Sequence, residues 1–234
     1  MTVRMVVFDV GETLIDEGRL WRLWAKWLDV PPARFLGELE SVIQRKQDHR
    51  QVFEVFDPGF DLEAARKKRG AAGWPPDLAE AGDLYPDAAD CLARLRELGY
   101  RTGIAGNQPV GIEEVLREAR LAVDVIGSSG GWGVAKPSAA FFGKLQEVAQ
   151  LAADEIAYVG DRVDADILPA LECGMVAVHL ERGPWGRIHA RWPEAAQAHL
   201  RISELTQLPG ALAKLDGENA RGSKQAPAPG RRPR

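Results

Sequence analysis

A doubly wound parallel α/β sheet, interrupted by a helical insert, is the fold class this sequence predicts. Three observations carry it. Short apolar runs recur along the chain, helical patterns alternate with them, and one long stretch, residues 18–83, shows helical patterns alone. Alternation of this kind means βαβ units whose strands are covered on both faces.

The elements follow in order. Residues 3–8 are a near-continuous apolar run and read as the first strand. In the insert, Leu20, Trp24, Trp27 and Leu28 make a helical stripe, and residues 35–50 and 61–69 read as two more helices. Pro31-Pro32 and Pro75-Pro76 punctuate them. The core then resumes. Cys91, Leu95 and Leu98 fall at i, i+4, i+7, with Gly99 as the stop. Residues 101–105, 123–126, 156–159 and 175–178 are the remaining apolar runs. Between them, Ile112, Val115, Leu116 and Ala119 mark one helix and Phe141, Leu145 and Val148 another. An insert placed directly after the first strand sits over the carboxyl ends of the strands, where open α/β sheets bind ligands, and is expected to act as a lid.

Composition narrows the class. The chain has 234 residues, 45% hydrophobic and 27% charged, which suits a globular protein with a substantial core. A net charge of -4 argues against a basic nucleic-acid binder, so no nucleic-acid partner is expected. No apolar run approaches the ~20 residues of a membrane span. The start, MTVRMVVFDV, lacks the features of a secretory signal, and Cys91 and Cys173 are too few for a disulfide framework; a cytoplasmic protein is expected. The segment 217–234 holds no Val, Ile, Leu or aromatic residue and carries five Lys/Arg against one Glu. It is expected to be a disordered basic tail.

Four clusters stand at the ends of the expected strands. Asp9-Val10-Gly11-Glu12-Thr13-Leu14 closes the first, where an aspartate is suited to nucleophilic attack or cation binding and is also common in turns. Gly106-Asn107-Gln108 closes the second run and reads equally as a turn. Lys136 precedes a helix expected from near Pro137, a place suited to an anion and also to a solvated charge. Tyr158-Val159-Gly160-Asp161-Arg162-Val163-Asp164-Ala165-Asp166 crowds three carboxylates after a strand, which costs free energy unless a cation or hydrogen bonds compensate. Hard cations such as Mg²⁺ take such oxygen ligands. Asp164 is assigned the role of helix cap.

Taken together, strand-end Asp, small-Asn, Lys-Pro and Gly-Asp-x4-Asp, in this order and with an insert after the first, resemble the haloacid dehalogenase-like hydrolases, in their phosphatase-like branch. The resemblance spans residues 3–210. It includes Leu84-Tyr85-Pro86-Asp87, similar to the return from the cap, and residues 199–208, similar to the last strand and helix. It implies a Rossmann-like core of residues 1–16 and 84–216 with a cap of 17–83. It also implies a small phosphorylated substrate and Mg²⁺ as cofactor. Asp9 becomes the nucleophile, forming an aspartyl-phosphate that water hydrolyses, and Lys136 neutralises the phosphoryl oxygens. Asn107, Gly106 and Thr13 fall at phosphate-binding positions. Asp9, Asp161, Asp166 and the Gly11 carbonyl fall at metal positions.

Two departures stand out. Gly11 replaces the second aspartate that serves such phosphatases as general acid and base, and Gly106 replaces Ser or Thr. Loss of a general acid costs about 10²–10⁴ in rate. Glu12 is a candidate to supply the proton instead. A metal-independent Asp-nucleophile dehalogenase and a catalytically weak ligand- or protein-binding relative remain as alternatives. Trp21, Arg22, Arg45, His49 and Arg50 are candidates to face a substrate, with Arg45, Lys46, His49 and Arg50 expected on one helical face.

Overall fold

The computed structural model describes residues 2–224. A six-stranded parallel sheet forms the centre, in the order β3-β2-β1-β4-β5-β6. The strands are β1 (Met5–Phe8), β2 (Arg101–Gly106), β3 (Val125–Ser128), β4 (Ile156–Gly160), β5 (Val176–Leu180) and β6 (Leu200–Ile202). β1 pairs with β2 on one side and β4 on the other, so that Phe8 lies opposite both Ile104 and Val159. The strand order reverses between β1 and β4, and the crevice at their carboxyl ends is where such sheets bind ligands. β1, β4 and β5 are buried along their whole length, because helices cover both faces.

Two apolar layers sandwich the sheet. One gathers Val6, Phe8, Ile104 and Val159 against Leu92 and Leu95 of α5 (Ala88–Glu97) and Leu116 of α6 (Ile112–Glu118). The other sets Met5, Val7 and Tyr158 against Phe141, Phe142 and Leu145 of α8 (Ala139–Ala149). Shorter helices α7 (Ser129–Trp132), α9 (Leu168–Glu172) and α10 (Gly183–His189) complete the core with α11 (Leu208–Lys224). Leu98 and Val148, the outer members of two expected stripes, are exposed.

The insert between β1 and α5 is helical, as its patterning requires: α1 (Gly18–Trp27), α2 (Pro32–Gln44), α3 (Gln51–Phe56) and α4 (Leu62–Ala71). It owns a core of Trp21, Trp24, Phe35, Leu39, Val42, Ile43 and Phe53. The rings are closely set, with Trp24 and Phe53 centroids 5.1 Å apart and Phe53 and Phe60 4.7 Å apart.

Three expectations need correction. The helix over residues 35–50 stops at Gln44: Lys46 turns left-handed at φ 56, and the Asp48 carboxylate accepts from Arg50 N at 2.9 Å to start α3. Arg45, Lys46, His49 and Arg50 therefore lie on a turn and not on one helical face. The sequence places Trp132, Trp185 and Trp192 in loops, but Trp132 ends α7 and Trp185 is in α10, where Pro184 fits the first turn of a helix. The last helix runs on to Lys224, into the segment expected to be disordered, since extending a formed helix is cheaper than starting one. Residues 225–234 of that segment lie outside the described residues.

Candidate active site

The register of the sheet brings three separate loops together. Asp9 leaves β1 with its amide bonded to the Val159 carbonyl at 2.8 Å. Lys136 Nζ lies 2.6 Å from Asp9 Oδ1 and 2.5 Å from Asp166 Oδ1, and all three side chains are buried. Burial alone would lower the Lys136 ammonium, but Asp166 and Asp9 outweigh it and hold the group well above the ordinary lysine value. Asn107 fixes the loop that delivers this lysine. Its Nδ2 donates to the Lys136 carbonyl and its Oδ1 accepts from Lys136 N, both at 2.8 Å. Both ends of the Asn107 amide are thus engaged by the main chain.

Asp161 and Asp166 come from the loop after β4. A wide turn brings Asp166 back: Asp166 N and Ile167 N both bond to the Arg162 carbonyl, and Asp166 Oδ2 accepts from Arg162 N at 2.9 Å. The Asp161 carbonyl accepts from His179 Nε2 of β5 at 3.1 Å. Carboxylate oxygens of Asp9, Asp161 and Asp166 all lie within 4.8 Å of one another. Burial, with Asp166 and Asp9 adding to it, pushes the Asp161 carboxyl far up; burial also raises Asp166, to about 6, against the pull of Lys136. Asp161 Oδ2 is buried with no hydrogen-bond partner among the described residues. Three hard oxygen donors and one orphaned oxygen fit a divalent cation. Asp164 does not cap a helix: it is exposed and pairs with Arg162 at 2.8 Å.

Glycines allow the carboxylates to close in. A Cβ at Gly160 would lie 2.6 Å from Asp166 Cβ, and one at Gly106 would strike Asp9 Oδ1 and lie 3.2 Å from Val10 N. A serine or threonine at position 106 would displace the Asp9 carboxylate from this position and press on Val10. At Gly11 the added atom would lie 2.8 Å from Cδ of Glu17 and nearer to its Oε1. Glu17 precedes α1, and Gln108 Nε2 donates to its Oε1 at 3.2 Å. Burial, then the Glu12 carboxylate, pushes its carboxyl up to about 8. Nothing in the sequence singles out Glu17, since a lone polar residue before an amphipathic helix reads as an ordinary helix start.

Glu12 is buried, its Oε2 accepting from Tyr85 Oη at 2.7 Å, and burial raises it to about 7. Thr13 is wholly buried, its hydroxyl unpartnered among the described residues, and it is absent from the cleft wall.

The cleft above these groups has a volume of ≈ 1100 Å³. Asp9, Gly11, Glu17, Asn107, Lys136 and Asp161 form its floor. The insert supplies the roof, with Trp21, Trp24, His49, Arg50, Arg69 and Trp74. Of the residues expected to face a substrate, Trp21, His49 and Arg50 do so, whereas Arg22 and Arg45 do not line the cleft. Trp185 of the core meets Trp21 at 6.1 Å and His49 at 5.7 Å. Arg69 is buried over the Trp24 ring at 4.1 Å, its Nε and Nη1 without partners among the described residues.

Known proteins resemble this chain in sequence and in fold. A family model described as haloacid dehalogenase-like hydrolase matches residues 3–174. The chain is 31% identical over 218 residues to the glyceraldehyde 3-phosphate phosphatase of Methanopyrus kandleri, covering 81% of this chain and 88% of that one. It is 32% identical over 232 residues to the enzyme of the same name from Pyrococcus furiosus, covering 93% and 95%. Among solved structures it is similar to the HAD hydrolase YfnB of Bacillus subtilis bound to magnesium, at a TM-score of 0.64 and 18% identity, covering 91% of this chain and 99% of that one.

Proposed function

The chain belongs to the haloacid dehalogenase-like hydrolases, and we propose that it is a Mg²⁺-dependent phosphatase acting on a small phosphorylated metabolite from the Asp9 centre. The observation that carries this reading is the triad of Asp9, Lys136 and Asp166, held at 2.5–2.6 Å in a buried pocket beside the unpartnered Asp161 oxygen. In the first step an Asp9 carboxylate oxygen attacks phosphorus, the bond to the leaving oxygen breaks, and an aspartyl-phosphate forms. In the second, water attacks the same phosphorus and releases Asp9 and inorganic phosphate. Lys136 pairs with Asp9 and offers its ammonium to the phosphoryl oxygens.

Asn107 acts through Lys136, fixing the main chain from which the ammonium reaches the centre. Asp9, Asp161 and Asp166 are the residues that would hold Mg²⁺, and the ion would supply positive charge to a bound phosphoryl group. This acidic pair facing Asp9 favours the metal-dependent branch over a metal-free dehalogenase.

Two relatives named for glyceraldehyde 3-phosphate support a small phosphorylated aldehyde as the first substrate to try. Two free cysteines suit the cytoplasm, the compartment we propose. No helix among the described residues is long and apolar enough to cross a membrane.

The test is phosphate release from an aryl phosphate and from glyceraldehyde 3-phosphate, with Mg²⁺ or with chelator. Turnover should need the metal and fall at least about 10⁴-fold in Asp9→Asn. Turnover that survives either change overturns the reading.

A further inference from the structure

Breaking a phosphate ester to an alcohol leaves negative charge on an alkoxide-like oxygen, and a positioned acid that protonates it accelerates the step. Gly11 has no side chain to do this. The space beside it is not empty, however, because the carboxyl group of Glu17 fills it: a Cβ on Gly11 would lie 2.8 Å from Glu17 Cδ and 3.3 Å from Oε2.

Several features hold Glu17 there. The chain from Asp9 folds tightly back on itself, with Leu14 N and Ile15 N both bonded to the Val10 carbonyl at 2.9 Å. Gly11 and Ile15 bridge, and Ile15 bridges in turn to Leu84. Glu17 thereby returns to the residue that lies six positions before it. Gln108, next to Asn107 at the end of β2, donates to Glu17 Oε1 at 3.2 Å. The carboxyl lines the same cleft as Asp9, Lys136 and Asn107. No ion pair to Glu17 forms among the described residues, so no neighbouring cation holds its carboxyl in the charged form. Glu12, the acid nearer in sequence, is engaged by Tyr85 Oη and pressed against Gly183.

We propose that Glu17 is the acid–base residue of this site, reaching from the start of the cap into the space that Gly11 leaves beside Asp9. The assignment rests on the phosphatase reading above. In the first step, as Asp9 bonds to phosphorus, the electron pair of the breaking P–O bond stays on the leaving oxygen and the Glu17 carboxyl gives that oxygen its proton. In the second step the Glu17 carboxylate takes a proton from the attacking water, the new P–O bond forms, and the bond to Asp9 breaks. Glu17 then carries the proton for the next cycle, and no further reactant is needed. The acid of the reaction is in this way carried by the first residue of the cap, while the nucleophile stays on the sheet.

The experiment compares p-nitrophenyl phosphate, whose leaving group needs little protonation, with glycerol 3-phosphate, whose leaving group needs it. Wild type and Asp9→Asn are run first. Wild type active on both substrates with Asp9→Asn dead secures the phosphatase reading, and wild type inactive on both ends that reading and this proposal with it. Glu17→Gln, nearly the same shape, should then lose about 10²–10⁴-fold in kcat on glycerol 3-phosphate, with KM little changed and much less lost on the aryl ester. Glu17→Asp should recover part of the loss.

Gly11→Asp alone should be impaired, because the new side chain collides with Glu17. Gly11→Asp combined with Glu17→Ala should regain turnover of glycerol 3-phosphate that Glu17→Ala lacks. Equal losses on both substrates in Glu17→Gln, or none on either, overturn the proposal. If Glu17→Gln fails to fold, the double variant decides: no gain over Glu17→Ala overturns it.

Discussion

The floor and the roof of the cleft are built by opposite means. On the floor, Asp9, Lys136, Asp161 and Asp166 are buried charges whose places are set by strand ends, by main-chain hydrogen bonds and by glycines that let carboxylates approach. In the roof, Trp21, Trp24, Phe35 and Phe53 are rings packed on one another, with only Arg69 buried among them as a charge. The floor depends on charge balance and the roof on filled volume. Damage to each should therefore differ in kind: the floor should respond to cations and pH, the roof to the size of side chains.

The largest effect is expected from Lys136→Met. It leaves Asp9 and Asp166 without their buried cation, which costs about 3–5 kcal/mol and abolishes turnover. In thermal unfolding without metal the variant should melt well below wild type, and added Mg²⁺ should narrow the gap. A melting point unchanged in chelator would mean that the lysine does not balance the floor.

In the roof, Phe35→Ala should destabilise by about 3–5 kcal/mol through the cavity it leaves between Trp21 and Phe53. Here Mg²⁺ should make no difference. A loss below about 1 kcal/mol in denaturant unfolding would show that the rings are not a close-packed core.

The smallest effect is expected at His189, which lies beside the floor with the Asp164 carboxylate 3.8 Å from its Nδ1. It is buried, accepts from Val163 N at 3.0 Å and stacks on Trp192 at 3.7 Å. Burial pushes its pKa from 6.5 down to about 4, with Arg162, His179 and Lys46 acting the same way and Asp164 opposing. The unfolded chain therefore binds a proton more readily than the folded one. Stability present above pH 6.5 is lost as pH falls toward 4, by an amount on the order of 3 kcal/mol. His189→Gln should flatten that acid limb in a series of melting curves. A slope equal to wild type between pH 6.5 and 4 would remove His189 from the account.

The same division explains what could be read from the sequence. Asp9, Lys136, Asp161 and Asp166 were legible because each follows or faces a strand, and buried parallel strands leave continuous apolar runs. Gly106 looked like a defect in a phosphate site. In the fold its missing side chain is what gives Asp9 its place. Glu17 was hidden because its nearness to Gly11 comes from a loop that doubles back, and no periodicity records a turn of that sort.

The roof was read only as a helical stripe. Which of Arg45, His49 and Arg50 would face the cleft depended on the break at Lys46 and Asp48, a local turn that interrupts an otherwise helical pattern. Trp185 lay beyond reach for a different reason: its partners Trp21 and His49 are far away in sequence and meet it only across the cleft.

That last contact has an optical consequence. Trp21 sits on the cap and Trp185 on the core, with ring centroids 6.1 Å apart and planes tilted by 42°. Two indoles at this distance and tilt couple their transitions, and His49 stands edge-on to both at 6.0 and 5.7 Å. Any hinge movement between cap and core must part or turn these rings. The protein thus carries an unlabelled gauge of its own aperture, readable in the near-ultraviolet circular dichroism as a phosphate ester or a metal is added.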